Sequence, residues 1–96
     1  MHVGAVSFDL HLPQVHSLKE KRAVIKPILE GARRRYLVAA GEVGGQDRWQ
    51  RARLGMAAVA GSPSHVQDVL DQVERFVWSF PEVEVVDSSL RWMEAE

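Results

Sequence analysis

The chain has 96 residues, 46% hydrophobic and 26% charged, the composition of one ordinary globular domain; a multidomain enzyme, a fibrous protein and a disordered tail are excluded. No apolar run reaches the roughly 18 residues of a membrane span, and MHVGAVSFDLHLP lacks the basic-then-apolar pattern of a secretory leader, so a single cytoplasmic domain over residues 1–96 is expected. The absence of Cys removes disulfide, thiolate-metal and thiol chemistry, while the net charge of -1 hides a basic segment 1–53, with ten Lys/Arg to five Asp/Glu, followed by an acidic segment 54–96, with two to eight.

Residues 2–12 alternate, with Val6, Phe8, Leu10 and Leu12 on one parity and Ser7, Asp9 and His11 on the other, which predicts a half-buried strand. Pro13 ends it. Ser17 and Glu20 form an S-x-x-E capping box, and Leu18, Ile25, Ile28, Leu29, Ala32 and Tyr36 fall on one arc, so a helix runs from Ser17 to about residue 36. Pro27 lies deep inside it and predicts a kink or local unwinding at a cost of ~3 kcal/mol. A short strand over Val38–Val43 is followed by the turn residues Gly44, Gly45, Gln46 and Asp47, then by a third strand from about Trp49 to Ala60. Leu54, Met56 and Ala58 share one face of that strand, placing Trp49, Arg51 and Arg53 on the other if it is regular that far back. Ser62-Pro63 caps and opens a second helix, with Val66, Val69, Leu70, Val73, Phe76, Val77 and Phe80 on a single arc. Pro81 stops it, and Val83–Met93 is a fourth strand whose inward and outward positions the sequence does not assign.

The order β-α-β-β-α-β, with right-handed crossovers, predicts an α+β ferredoxin-like sandwich: a four-stranded antiparallel sheet with both helices on one face and the other face open. That open face offers Trp49, Arg51 and Arg53 beside Asp9 and His11, and domains of this topology bind single-stranded RNA there by stacking bases on aromatics and holding phosphates with Arg. The third strand carries no RNA-recognition signature, and burial against another protein with Trp49 as anchor accounts equally for the same residues. On the first helix Lys19, Arg22, Lys26 and Arg33 form a basic strip, flanked by Arg34 and Arg35, which can follow a phosphate backbone or simply be a solvated face. Nine Arg to three Lys suits phosphate recognition, and equally a high-GC or heat-adapted genome.

The loop ahead of the first helix brings His16, Ser17 and Lys19 to a helix N-terminus, a place for a small anion. Acylphosphatases use this loop of this fold, but with a glycine-containing cradle and an Arg, neither of which precedes Ser17 here. His2, His11, His16 and His65 lack ligand spacing, and no dinucleotide or phosphate-loop glycine pattern is present. Neither a metal nor a small-molecule cofactor is expected. Trp78 and Trp92 are lone surface aromatics or interface anchors.

Two segments, H-S-L-K-E-K-R at residues 16–22 and E-V-G-x-Q-D-x-W-Q-R at residues 42–51, together with the helix sequence VLDQVERFV, resemble the YlxP-like family of small bacterial proteins over nearly the whole chain. The matching positions are His16, Ser17, Leu18, Lys19, Glu20, Lys21 and Arg22, and Glu42, Val43, Gly44, Gln46, Asp47, Trp49, Gln50 and Arg51. The resemblance implies a ferredoxin-like fold and no known function; the family's genes often stand among those for transcription elongation, translation initiation and ribosome maturation factors. The leading expectation is therefore a non-catalytic RNA-binding or ribosome-associated accessory protein, with Trp49, Gln50, Arg51 and Arg53 on the sheet and Lys19, Arg22, Lys26 and Arg33 on the helix as its contacts. A homo-oligomeric or protein-binding adaptor using the open sheet face is the alternative, and a small phosphate-handling enzyme a remote one.

Overall fold

The structure, a computed structural model, describes residues 1–94. Strand β1 (His2–His11) is followed by helix α1 (Leu18–Tyr36), strands β2 (Ala39–Gly44) and β3 (Arg51–Ala60), helix α2 (Pro63–Trp78) and strand β4 (Glu84–Glu94). The strands lie in the order β2-β3-β1-β4 with every pairing antiparallel, the expected ferredoxin-like arrangement. Alternation builds the core directly. Val6, Phe8 and Leu10 of β1 and Ala52, Leu54, Met56 and Ala58 of β3 point to one side, where they meet Ile25, Ile28 and Ala32 of α1 and Val66, Leu70, Val73 and Val77 of α2. Two glycines bring the layers close: a Cβ on Gly4 would stand 2.8 Å from Val66, and one on Gly31 would overlap the Phe76 ring.

Both helix starts are capped as their sequences require. Ser17 Oγ accepts from Glu20 N at 3.1 Å while the Glu20 carboxylate accepts from His16 N at 2.8 Å, and Ser62 Oγ accepts from His65 N at 3.3 Å ahead of Pro63. Two local expectations are corrected. Helix α1 runs through Pro27 without unwinding, because Pro27 and Ala23, whose carbonyl loses its usual partner, both lie on the exposed side where water satisfies that carbonyl. Strand β3 begins at Arg51 rather than Trp49, since the chain must first complete the turn in which Arg48 N donates to Gly45 O at 3.0 Å, with Gly45 at φ 71°.

The register of β4 settles its faces, because directly opposed residues share a face. Ser88, Leu90 and Trp92 stand opposite Phe8, Val6 and Gly4 on the helix side, and Asp87, Ser89 and Arg91 opposite Asp9, Ser7 and Ala5 on the open side, with a bulge at Val86.

One buried side chain joins the helical layer to the sheet. Lys21 continues the Ile25–Ile28–Ala32 stripe of α1 at helical spacing and is only 2% exposed. Its ammonium donates to Gly45 O at 2.6 Å and Arg48 O at 2.8 Å and lies 2.7 Å from Glu42 Oε2, on the helix side of β2. Three N–H groups thus meet three acceptors, and the ammonium is the partner of an otherwise unbonded buried carboxylate oxygen. Removing the cation alone strands that carboxylate and two carbonyls, so Lys21→Met is expected to lower unfolding free energy by about 3 kcal/mol in urea titration. At the other end of α1, Leu37 adopts the left-handed conformation, φ 56°, with its side chain 88% exposed. Leu37→Gly relieves that backbone without forfeiting packing and is expected to raise the thermal midpoint, by about 1 kcal/mol in stability.

Candidate nucleic-acid interface

The open face divides into two halves. At the β1 N-terminal end it is apolar and flat: Ala5, Ala39, Val43, Gly55 and Ala57 line a shallow depression of about 320 Å³. At the other end it is charged. Arg53 Nε lies 3.0 Å from Asp9 Oδ1 across the β1–β3 pair, its stem passing over Gly44, and His11 Nδ1 lies 2.7 Å from Glu84 Oε1 across β1–β4. Arg48, Arg51 and Arg53, with Asp9 and Asp47, border a concavity of about 510 Å³ floored by Gly44, Gly45 and Ala52. The two glycines add no side chain to its lining. Among the described residues its lining carries no hydroxyl, thiol or imidazole.

The candidate residues named from the sequence are not all alike in this setting. Arg51 and Arg53 project from β3 on the open side as its parity requires. Trp49 is 54% exposed but sits in the loop before β3, so the pleat does not align it with them. Gln50 is tied down: its Nε2 donates to Val15 O at 3.1 Å and more weakly to Pro13 O at 3.4 Å, while its own carbonyl accepts from Leu12 N at 2.9 Å. Arg48, which bears on the same concavity, was missed by reasoning from the sequence; its signal was its place directly after the turn residues.

On α1, Lys19, Arg22, Lys26 and Arg33 are all exposed, but they lie in the helical layer, across the sheet from the concavity. Arg33 donates to Ala40 O at 2.5 Å and Lys26 lies 4.0 Å from Glu30, so two of the four already have partners. At the α1 N-terminus His16 is exposed, but its amide is taken by Glu20 and the Ser17 hydroxyl by the cap. The Glu20 carboxylate thus stands beside the first amides of the helix.

Among the described residues no three His, Asp or Glu side chains gather into a metal-binding group, and no helix is long and apolar enough to cross a membrane.

The geometry assigns much of the two resemblance segments to holding each other. Lys21 of the first grips Glu42, Gly45 and Arg48 of the second, and Gln50 of the second grips the loop leading into the first. Gln50→Ala is expected to lower the urea midpoint by about 1 kcal/mol equivalent while leaving the circular dichroism of the folded protein unchanged.

Comparison with known proteins agrees with this architecture. A de novo designed protein, Foldit4, superposes over 100% of both chains with a TM-score of 0.58 at 13% identity, a likeness that shows the fold alone. The uncharacterized protein YlxP of Bacillus subtilis (strain 168) is 43% identical over 90 residues, covering 94% of this chain and 98% of that one. The model of the family described as "Protein of unknown function (DUF503)" matches residues 3–90. With the family model matching residues 3–90 and YlxP 43% identical along nearly the whole length of both chains, the chain belongs to the YlxP-containing DUF503 family.

Proposed function

We propose that the protein is a non-catalytic RNA-binding accessory protein acting with the ribosome or translation apparatus, and that the charged end of the open sheet face contacts the RNA. The observation that carries this reading is the convergence of Arg48, Arg51 and Arg53 on one concavity, with Trp49 exposed in the loop that leads into β3. Arginine forks bind phosphate oxygens in defined geometry, and a neighbouring indole stacks on an unpaired base. The two acids in the same rim set the balance among the three cations. Arg53 is engaged by Asp9, so Arg48 and Arg51 supply most of the attraction, and the salt sensitivity is modest.

The apolar half of the same face supports the second reading, an adaptor whose open face is covered by protein. Small side chains such as Ala5, Ala39 and Ala57 let another surface approach the sheet closely. The two halves are far enough apart in character that one experiment separates them. Fluorescence anisotropy with short single-stranded RNA across a salt series is expected to give a log-log slope of roughly -2 for three phosphate contacts. Arg48→Ala with Arg51→Ala is expected to flatten that slope to less than about -1 and weaken binding at low salt. Absence of binding at low salt defeats the RNA reading and leaves the adaptor; binding lost instead in Lys19→Ala with Arg22→Ala moves the contact to α1.

A further inference from the structure

We propose that the free edge of β4 pairs antiparallel with β4 of a second copy about a two-fold axis through Ser89, forming a continuous eight-stranded sheet. This rests on the edge, not on either reading of the open face.

The two sheet edges are unlike. Strand β2 is six residues long, contains Gly41 and Gly44 and is interrupted between Glu42 and Gly44, the features with which sheets discourage pairing. Strand β4 is eleven residues long, with neither Lys nor Pro, and its bulge lies near one end. Its helix side is also uncovered: α2 packs over β1 and β3, leaving Leu90 and Trp92 41% and 43% exposed.

Charge selects the partner and the register. On the open side Asp87 stands directly opposite Asp9, and carboxylates so placed repel. Asp9 has Arg53; Asp87 accepts from Ser88 N at 2.9 Å and, among the described residues, has no cation. The only cation of β4 is Arg91, on the same face with Ser89 midway between the two. A two-fold axis through Ser89 therefore sets Arg91 of each copy opposite Asp87 of the other, twice over, completing a row Arg53–Asp9–Asp87–Arg91 across the joint. The neighbouring registers lose the pair: an axis through Ser88 opposes Asp87 to Ser89, and one through Leu90 opposes Asp87 to Met93 and Arg91 to Ser89. On the helix side the same register faces Leu90 with Ser88, whose small side chain leaves room for it, and brings the two Leu90 side chains together diagonally. Such an isologous contact closes after two copies and removes both exposed β4 edges.

The test is charge reversal at the exposed positions Asp87 and Arg91, followed by sedimentation equilibrium. Wild type is expected to be a dimer. Asp87→Arg alone and Arg91→Asp alone each place like charges together at both contacts, and each is expected to raise the dissociation constant by roughly tenfold or more. Mixing the two variants in equal amounts makes every contact attractive again, so a heterodimer of wild-type strength is expected, and its appearance also shows that both variants are folded. A monomeric wild type, a dimer indifferent to the reversals, or a mixture no tighter than its components overturns the proposal.

Discussion

The Lys21 ammonium holds the β2–β3 turn against the first turns of α1, and the charged end of the sheet depends on that contact. Two backbone carbonyls of the turn and a carboxylate of β2 converge on one buried cation, so the turn has one conformation in which all three acceptors are satisfied. Arg48 contributes its carbonyl to this cluster and its side chain to the concavity on the other side. The cation fixes where the backbone of that arginine sits, and thereby where its guanidinium can reach. A hydrophobic residue at position 21 would fill the stripe and leave the turn without an anchor.

Most of the fold was legible because its determinants are local. Ser17 and Glu20, or Ser62 and Pro63, announce helix starts within four residues of chain, and the parity of Val6, Phe8 and Leu10 names the buried face of β1 without reference to anything else. What was hidden depends on partners remote in sequence. Lys21 reads as one more basic residue on a basic helix until Glu42 and the turn carbonyls are brought to it; the only local signal was its position in register with Ile25, Ile28 and Ala32. Trp49 was assigned to β3 by extending an alternation past the point where the turn ends. Strand β4 kept its faces hidden because Val86 is an extra residue, which shifts the parity between Val85 and Asp87 and blurs the pattern. Pro27 misled because helix propensity counts the lost bond and takes no account of whether water can replace it.

The candidate site was legible in composition but not in geometry. The excess of arginine in the first half is evident from the sequence, yet the structure distributes it between two surfaces on opposite sides of the sheet and consumes part of it in pairs with Ala40 and Asp9. Of the two resemblance segments, the buried or bonded members explain the architecture, and the exposed ones include Lys19, Arg22, Val43, Gln46, Asp47, Trp49 and Arg51. The likeness to a designed protein shows the topology alone, and a topology does not by itself specify what its surfaces do.

The strand order β2-β3-β1-β4 places the first strand to be synthesised between the third and the last. During translation, at about 5–20 residues per second, β1 emerges with both hydrogen-bonding edges bare and waits for β3 before either is paired. Helix α1 forms from local signals in that interval, but its Lys21 has neither Glu42 nor the turn carbonyls to meet, so it remains hydrated and the helix stays loosely attached. The second edge of β1 stays bare until β4, the last of the four strands in sequence, is available to pair with it. Until the helices cover them, the nascent chain exposes Phe8 and Leu10, which makes the growing polypeptide more open to aggregation than the folded domain.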